Sequence, residues 1–375
     1  MPSSVPLRLL RWTRFASNAN GTGPEKRSAQ ILELVRAAGY DLDDMVPPTT
    51  TPRIPALLAG ARALLRHGRH ASVDHAGPGL LGHRSIAYRQ ALAAHVGPKV
   101  LLWETTYDDV LPTLAREQGY RVIALPHNLE SLVSDSVFRY SSYDPCLDLA
   151  AEVRRLGLAD HIFTIAREER WLLESRGLLP DYLPFFPTGT LADDCASLRA
   201  RRTLAADAGG FVGGPLLILG SAFNPATARG MRCQLDWLHS SANATDREII
   251  VVGPDSERRF AAFAGPRCHI LGAVPREQLV NLIAACSAML VHTYGGAGAV
   301  TRIPEALFAG VPVIANSNGA RDQHGTAGVH VYETEEEFVS LTRALPPMPP
   351  PPPAPSPAIE RFSTILRRLV TKVMT

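Results

Sequence analysis

A chain of 375 residues with 46% hydrophobic side chains is long enough to bury two separate cores, and its formal net charge of +2 gives no nucleic-acid signature. Five scattered cysteines, Cys146, Cys195, Cys233, Cys268 and Cys286, form no Cys-x-x-Cys pair, which argues against a zinc site or disulfide framework and for reduced thiols in the cytoplasm. No uncharged apolar run reaches membrane-spanning length, and the arginine-interrupted start lacks a signal-peptide core, so the sequon at Asn243 reads as chance.

Short runs rich in Val, Ile and Leu alternate with amphipathic stretches of helical length, which predicts parallel strands covered by helices. Strands are expected at residues 7–12, 99–103, 121–125 and 161–165 in the first half. In the second half they are expected at residues 215–220, 248–252, 268–271, 288–292, 311–315 and 329–332, with helices at 227–240, 275–286 and 334–344. Prolines and glycines near residues 184–214 mark a boundary, giving a first domain at 1–190, a linker at 191–214 and a second domain at 215–345. Ligand is expected in the cleft between them, outside the carboxyl ends of the strands.

A Gly-rich turn follows the first strand. Pro24 signals a helix start, Gly21 and Gly23 let the backbone turn, Thr22 brings a hydroxyl, and Lys26 and Arg27 add charge, unless those two are plain surface residues. The Gly-Lys-Ser/Thr ending of a phosphate-loop NTPase is missing. Pro126-His127-Asn128-Leu129-Glu130-Ser131 follows a strand and so lies where α/β enzymes place ligand groups. The alternatives are a hydrogen-bonded structural His127, and helix capping by Asn128 or Ser131. Gly220-Ser221 ends another strand, and Arg229 on the next helix is either a phosphate contact or surface.

Residues 295–316 combine a Gly-rich turn, a short helix starting near Thr301 or Arg302, a glycine stop and a buried strand. Gly295, Gly296 and Gly298 allow close backbone approach to an anion, and Glu305 near the first helical turn can accept hydrogen bonds from vicinal hydroxyls such as a ribose. Phosphate plus ribose suggests a nucleotide. Residues 346–357 are nearly all proline and predict an extended spacer. Residues 358–375 predict an amphipathic helix with Ile359, Phe362, Leu366, Leu369, Val370 and Val373 on its apolar face and Arg361, Arg367, Arg368 and Lys372 elsewhere. That helix either packs on the protein or contacts a membrane surface; a polyproline-binding partner for the spacer is a third reading.

The block resembles the nucleotide-sugar site of GT-B glycosyltransferases, especially the family-four type (glycosyl transferases group 1). Gly296, Gly298, Arg302, Glu305, Ala306, Gly310, Pro312, Val313 and Ile314 carry the resemblance. Relatives with two glutamates have the first where this chain has Ala297, so it is similar to the single-glutamate branch. His127-Asn-x-Glu and the run around Asp160 resemble the same pattern, and the likeness extends over residues 17–332.

The resemblance implies an α/β GT-B fold: two Rossmann-like domains with parallel sheets facing across a cleft, and a C-terminal helix returning to the N-terminal domain. It implies a cytoplasmic enzyme, with peripheral contact at the cytoplasmic membrane face as the alternative location, that moves a sugar from a nucleotide-diphosphate sugar to a saccharide or lipid-linked acceptor. Such an enzyme retains configuration, needs no metal or other cofactor, and serves polysaccharide or glycoconjugate biosynthesis. On this reading His127 and Glu305 are catalytic, and Gly296, Gly298, Thr301, Arg302, Glu305, Ser221 and Arg229 bind the donor. Gly21, Thr22, Gly23, Asn128 and Glu104 form the acceptor or phosphate loop side. A GT-B nucleotide-sugar epimerase or hydrolase, or a noncatalytic nucleotide-sugar binding protein, is the alternative; nothing in the sequence sets an oligomeric state.

Overall fold

The apolar runs become strands buried on both faces, as a parallel sheet covered by helices requires. The computed structural model describes residues 6–47, 52–67, 78–104, 106, 110–133, 145–207, 214–240 and 245–375, so the Asn243 sequon lies outside the described residues. The chain divides into two compact units: Met1–Phe185 with Ala297–Ala299 and Pro355–Thr375, and Phe186–Gly296 with Val300–Ala354.

The first unit opens with β1 (Leu7–Trp12), α1 (Gly23–Ala37), β2 (Tyr40–Asp44), α2 (Arg53–His67) and α3 (Pro78–Ala94). It continues through β3 (Val100–Trp103), α4 (Val110–Glu117), β4 (Arg121–Ala124), α5 (Pro145–Leu156), β5 (His161–Thr164), α6 (Arg167–Ser175) and β6 (Asp181–Tyr182). Its strands form one six-stranded parallel sheet in the order β2-β1-β3-β4-β5-β6. Chain order reverses between β1 and β3, where the crossovers leave on opposite faces and a crevice opens at the carboxyl ends. Strand β2 reads Tyr-Asp-Leu-Asp-Asp, without an apolar run, because it is an edge strand whose acids pair with β1: Arg8 with Asp43 at 2.9 Å and Arg11 with Asp44 at 2.6 Å.

The second unit starts with α7 (Gly189–Asp207), which fills most of the span expected as a linker. Buried Arg202 ties this helix down by donating to the carbonyls of Ile283, Ala284, Cys286 and Gly310. Then come β7 (Leu216–Leu219), α8 (Pro225–Ser240), β8 (Ile249–Val252), α9 (Ser256–Arg259), β9 (Cys268–Gly272) and α10 (Arg276–Ala285). After them follow β10 (Ala288–Val291), α11 (Arg302–Phe308), β11 (Val313–Asn316), β12 (Val329–Tyr332) and α12 (Glu335–Arg343). The six strands again form a parallel sheet, ordered β12-β11-β10-β7-β8-β9, and the reversal falls between β7 and β10. Both sheets are therefore doubly wound, as the GT-B resemblance implied.

The proline stretch has no regular structure, yet it is not a free spacer. Arg199 on α7 donates to the carbonyls of Pro349 at 2.9 Å and Pro350 at 3.4 Å, which pins the prolines onto the second unit. The last helix, α13 (Ser356–Met374), belongs to the first unit and starts two residues before the expected position. Its stripe of Phe362, Ile365, Leu366, Leu369 and Val370 is buried; Phe362 meets Phe163 edge-on at 5.3 Å, and Arg361 pairs with Asp181 at 2.7 Å. The helix thus spends its apolar face inside the protein, and no described helix is long and apolar enough to cross a membrane.

Because Phe362 is fully buried, Phe362→Ala should lower stability by about 3–5 kcal/mol. Urea denaturation measures this, and a loss under about 1 kcal/mol would show that the helix is not held by its apolar face.

Candidate active site

In the first unit, the carboxyl ends of β1, β3 and β4 gather a buried polar cluster. Glu104, just past β3, is 1% exposed and accepts from Ser28 Oγ at 2.5 Å, faces His127 Nε2 at 3.2 Å, and lies 3.5 Å from Arg11 Nη1. Arg11 in turn holds Asp44 through both carboxylate oxygens. Burial pushes the Glu104 carboxyl up, but the hydrogen bond and charge of His127, then the charge of Arg11 and the hydroxyl of Ser28, outweigh it and hold the group below its ordinary value of 4.5. Enclosed in this way, Glu104 faces His127 and Arg11 rather than open solvent, and its Oε1 is buried without a hydrogen-bond partner.

The ring of His127 is stacked on Phe15 (centroids 5.0 Å apart, planes 23° apart), and its Nδ1 is buried with no hydrogen-bond partner. One ring nitrogen is thus fixed by a carboxylate while the other is held ready for a polar partner. Around it the backbone is tied by two buried acids that the sequence did not single out. Glu169 accepts from Leu129 N–H at 2.7 Å and from Gly298 N–H at 2.8 Å, and Glu152 accepts from the N–H groups of Glu130 and Ser131. Ser131 Oγ also donates to Glu152, and Asn128 Nδ2 donates to Glu130, so neither residue caps a helix through its side chain.

The turn of Gly21, Thr22 and Gly23 is a helix start. Thr22 donates through both N–H and hydroxyl to Glu25, at 2.7 and 2.8 Å, closing a capping box on α1. A Cβ on Gly21 would stand 2.4 Å from that carboxylate, which is why glycine sits there. Arg27, whose plain reading is a surface charge, is not on the surface: it is 1% exposed and donates to Gln30 and to the Pro184 carbonyl.

In the second unit, the turns after β7 and β10 flank the point where chain order reverses. Gly295 and Gly296 have φ of 69° and 97°, and Gly298, which belongs to the first unit, has φ of 72°; these are left-handed values that L side chains avoid, so these positions need glycine. Thr301 takes the N-cap position of α11 without a side-chain cap bond, and the helix has only seven residues, so its dipole is weaker than the sequence motif suggested. Charge comes from side chains instead. Half-buried Arg302 turns its guanidinium toward the β7 turn, with Nη1 4.0 Å from where a Cβ on Gly220 would stand, and its enclosed Nε has no hydrogen-bond partner. Burial, then the nearby charge of Arg321, push Arg302 down to about 10, against the charge of Glu305.

Arg321, which no sequence signal singled out, is braced by Thr293 Oγ1 at 3.2 Å and the Asn318 carbonyl at 2.7 Å, and its Nη2 stands 3.4 Å from where a Cβ on Gly296 would be. Asn316 locks the same corner by accepting from the N–H groups of Thr293 and Gly319 and donating to the Thr293 carbonyl. Behind the turn lies buried His292, which shares a 2.9 Å hydrogen bond with Tyr332 and is pushed down to about 4 by burial, so it is neutral near pH 7. Ser221 and Arg229 are exposed on the β7 turn and on α8, while Gly230 lets α8 approach the His292 carbonyl. Among the described residues no group of three His, Cys, Asp or Glu is arranged to hold a metal ion.

Residues 216–345 match the family model described as glycosyl transferases group 1. No curated protein sequence matches the chain. Among solved structures, sucrose-phosphate synthase from Thermosynechococcus elongatus is similar over 98% of this chain and 94% of that one, at 17% identity and a TM-score of 0.60. Anabaena HepE in complex with UDP and glucose is similar over 98% of this chain and 95% of that one, at 14% identity and a TM-score of 0.56. UDP-GlcNAc 2-epimerase from Methanocaldococcus jannaschii, in complex with UDP-GlcNAc and UDP, covers 97% and 100% at 14% identity and a TM-score of 0.52. At such identities the likeness shows the fold, which is GT-B.

A carboxylate held below its ordinary value stabilises the fold fully above the unfolded value near 4.5 and loses that contribution as pH falls through the lower folded value. Glu104→Gln should therefore cost about 3–5 kcal/mol near neutral pH, where a buried charged partner of His127 and Arg11 is removed, and less in acid. Urea midpoints at neutral and acidic pH measure this; a variant with the wild-type pH dependence would contradict it.

Proposed function

We propose that this protein, a group 1 glycosyltransferase on a GT-B scaffold, transfers a sugar from a nucleoside-diphosphate sugar to a saccharide or lipid-linked acceptor, with retention and without a metal. The observation that carries this reading is the pair of guanidinium groups at two glycine turns of one sheet, Arg302 toward Gly220 and Arg321 toward Gly296, with Glu305 on the first turn of α11. As the sugar–phosphate bond breaks, negative charge grows on the diphosphate, and a guanidinium already desolvated and aimed at that place stabilises it without reorganising. Gly296 leaves room for the phosphates to approach the backbone, and Glu305 accepts from the ribose hydroxyls. His127, its Nε2 held by Glu104, presents Nδ1 to a sugar hydroxyl. Solved relatives of the same fold bind UDP and UDP-sugars, which supports a uridine nucleotide as the first donor to test.

The likeness to an epimerase favours a second reading, in which the donor is processed with no acceptor. Dependence of nucleotide release on added acceptor separates the two.

Glu305→Gln keeps size and removes charge, so donor affinity should fall by about tenfold while the melting temperature holds. Arg302→Met should weaken a nucleoside diphosphate more than the matching nucleoside. Calorimetric titration measures both; equal losses for the two ligands would remove Arg302 from the phosphate. Turnover should survive exhaustive treatment with EDTA, and its loss, restored by manganese or magnesium, would overturn the metal-free mechanism.

A further inference from the structure

Helix α2 is turned inside out for a water-facing helix. Its small residues Ala56, Gly60 and Ala63 are buried, and the approach to α3 is so close that a Cβ on Gly82 would fall 1.6 Å from the Ala56 carbonyl oxygen. Four of its large apolar side chains point the other way. Ile54 is 72% exposed, Leu57 52%, Leu58 56% and Leu65 87%. At about 100° per residue these four fall within a stripe of about 100°, with Ala61 among them. Arg53 and Arg62 flank the stripe on opposite sides, both exposed, and the helix contains no Asp or Glu. Beside it opens a cavity of ≈ 620 Å³, with Ile54, Leu58, Val110 and Leu114 among its apolar lining and Arg62 and Arg89 among its polar lining.

Packing inside the protein does not explain this arrangement, because the inward face is satisfied by the small residues. A contiguous apolar stripe left in water marks a surface that meets something else. The flanking arginines say what it meets: their stems can lie along apolar matter while their heads reach a layer of negative charge, as at the edge of a lipid leaflet. The absence of any acid from the helix removes the repulsion such a layer would otherwise exert. We propose that α2 lies in the interface of an anionic bilayer, with Ile54, Leu57, Leu58 and Leu65 among the acyl chains and Arg53 and Arg62 at the headgroup phosphates. The apolar wall of the neighbouring cavity gives an acyl chain a place to enter beside the helix. The tail helix α13 plays no part, since its apolar stripe is already buried. This surface is independent of the donor chemistry and holds whatever the acceptor proves to be.

Flotation of the full chain with vesicles of phosphatidylglycerol and phosphatidylcholine, beside vesicles of phosphatidylcholine alone, tests it. Binding should require the anionic lipid and weaken with salt. Leu57→Glu combined with Leu65→Glu should reduce binding by at least about tenfold, at an unchanged melting temperature because both side chains are exposed. Arg53→Ser and Arg62→Ser should each weaken it by about fivefold. Failure of the wild-type chain to bind anionic vesicles, or undiminished binding by the double Glu variant, would overturn the proposal. So would a concentration-dependent dimer, seen by light scattering and abolished in the double Glu variant, because a second copy would then be what covers the helix.

Discussion

Strands buried on both faces leave their chain only one place to show polar groups, the ends of the sheet, and this constraint organises both units. Where chain order reverses, neighbouring crossovers depart to opposite sides and the carboxyl ends of two adjacent strands are left uncovered. In the first unit those strands are β1 and β3, and the buried cluster of Arg11, Glu104, Ser28 and His127 is built there. In the second unit they are β7 and β10, and the turns at Gly220 and Gly295–Gly296 with Arg302 and Arg321 occupy the corresponding place. The same topological event produces two chemically opposite sites. One is a carboxylate whose charge is balanced inside the protein, and the other is a pair of arginines near one another, with glycine turns beside them.

The balance within the first cluster explains why its parts cannot be reassigned one by one. Glu104 stays ionised although burial opposes it, because His127, Arg11 and Ser28 all act on it, and Arg11 is itself held by Asp44 of the edge strand. An edge strand of acids is thereby part of the site. In the second cluster the charges of Arg321 and Glu305 act on Arg302 in opposite directions, and burial decides the balance.

What the sequence made legible follows from the range of the physics involved. The buried runs Leu216–Leu219, Ile249–Val252, Ala288–Val291 and Val313–Asn316 announce themselves because burial on both faces demands continuous apolar residues. The glycines after β10 were legible for a similar reason, since a backbone requirement is written in the residue itself. Strand β2 was missed because its acids answer to Arg8 and Arg11, more than thirty positions away, and β6 because two residues carry no period. Arg27 looked like a solvated charge until Pro184, far along the chain, supplied its partner. Arg321, Glu152 and Glu169 have no local pattern at all; only the fold brings them to the backbone groups and turns they serve. Helix α2 is not legible in the sequence because its periodicity points the wrong way for a core, and that inversion becomes meaningful only once its buried side is known.

Recognition of a nucleoside-diphosphate sugar by the glycine turn after β10 with Arg302 and Glu305 is the central proposal. Thermal denaturation of the full chain against a set of such sugars, with the matching nucleosides and free sugars as controls, tests it most directly. One nucleoside-diphosphate sugar, at about a hundred times its dissociation constant, should stabilise the protein by about 2.7 kcal/mol, well beyond its nucleoside or free sugar. A melting temperature that no nucleoside-diphosphate sugar raises above those controls would contradict the account.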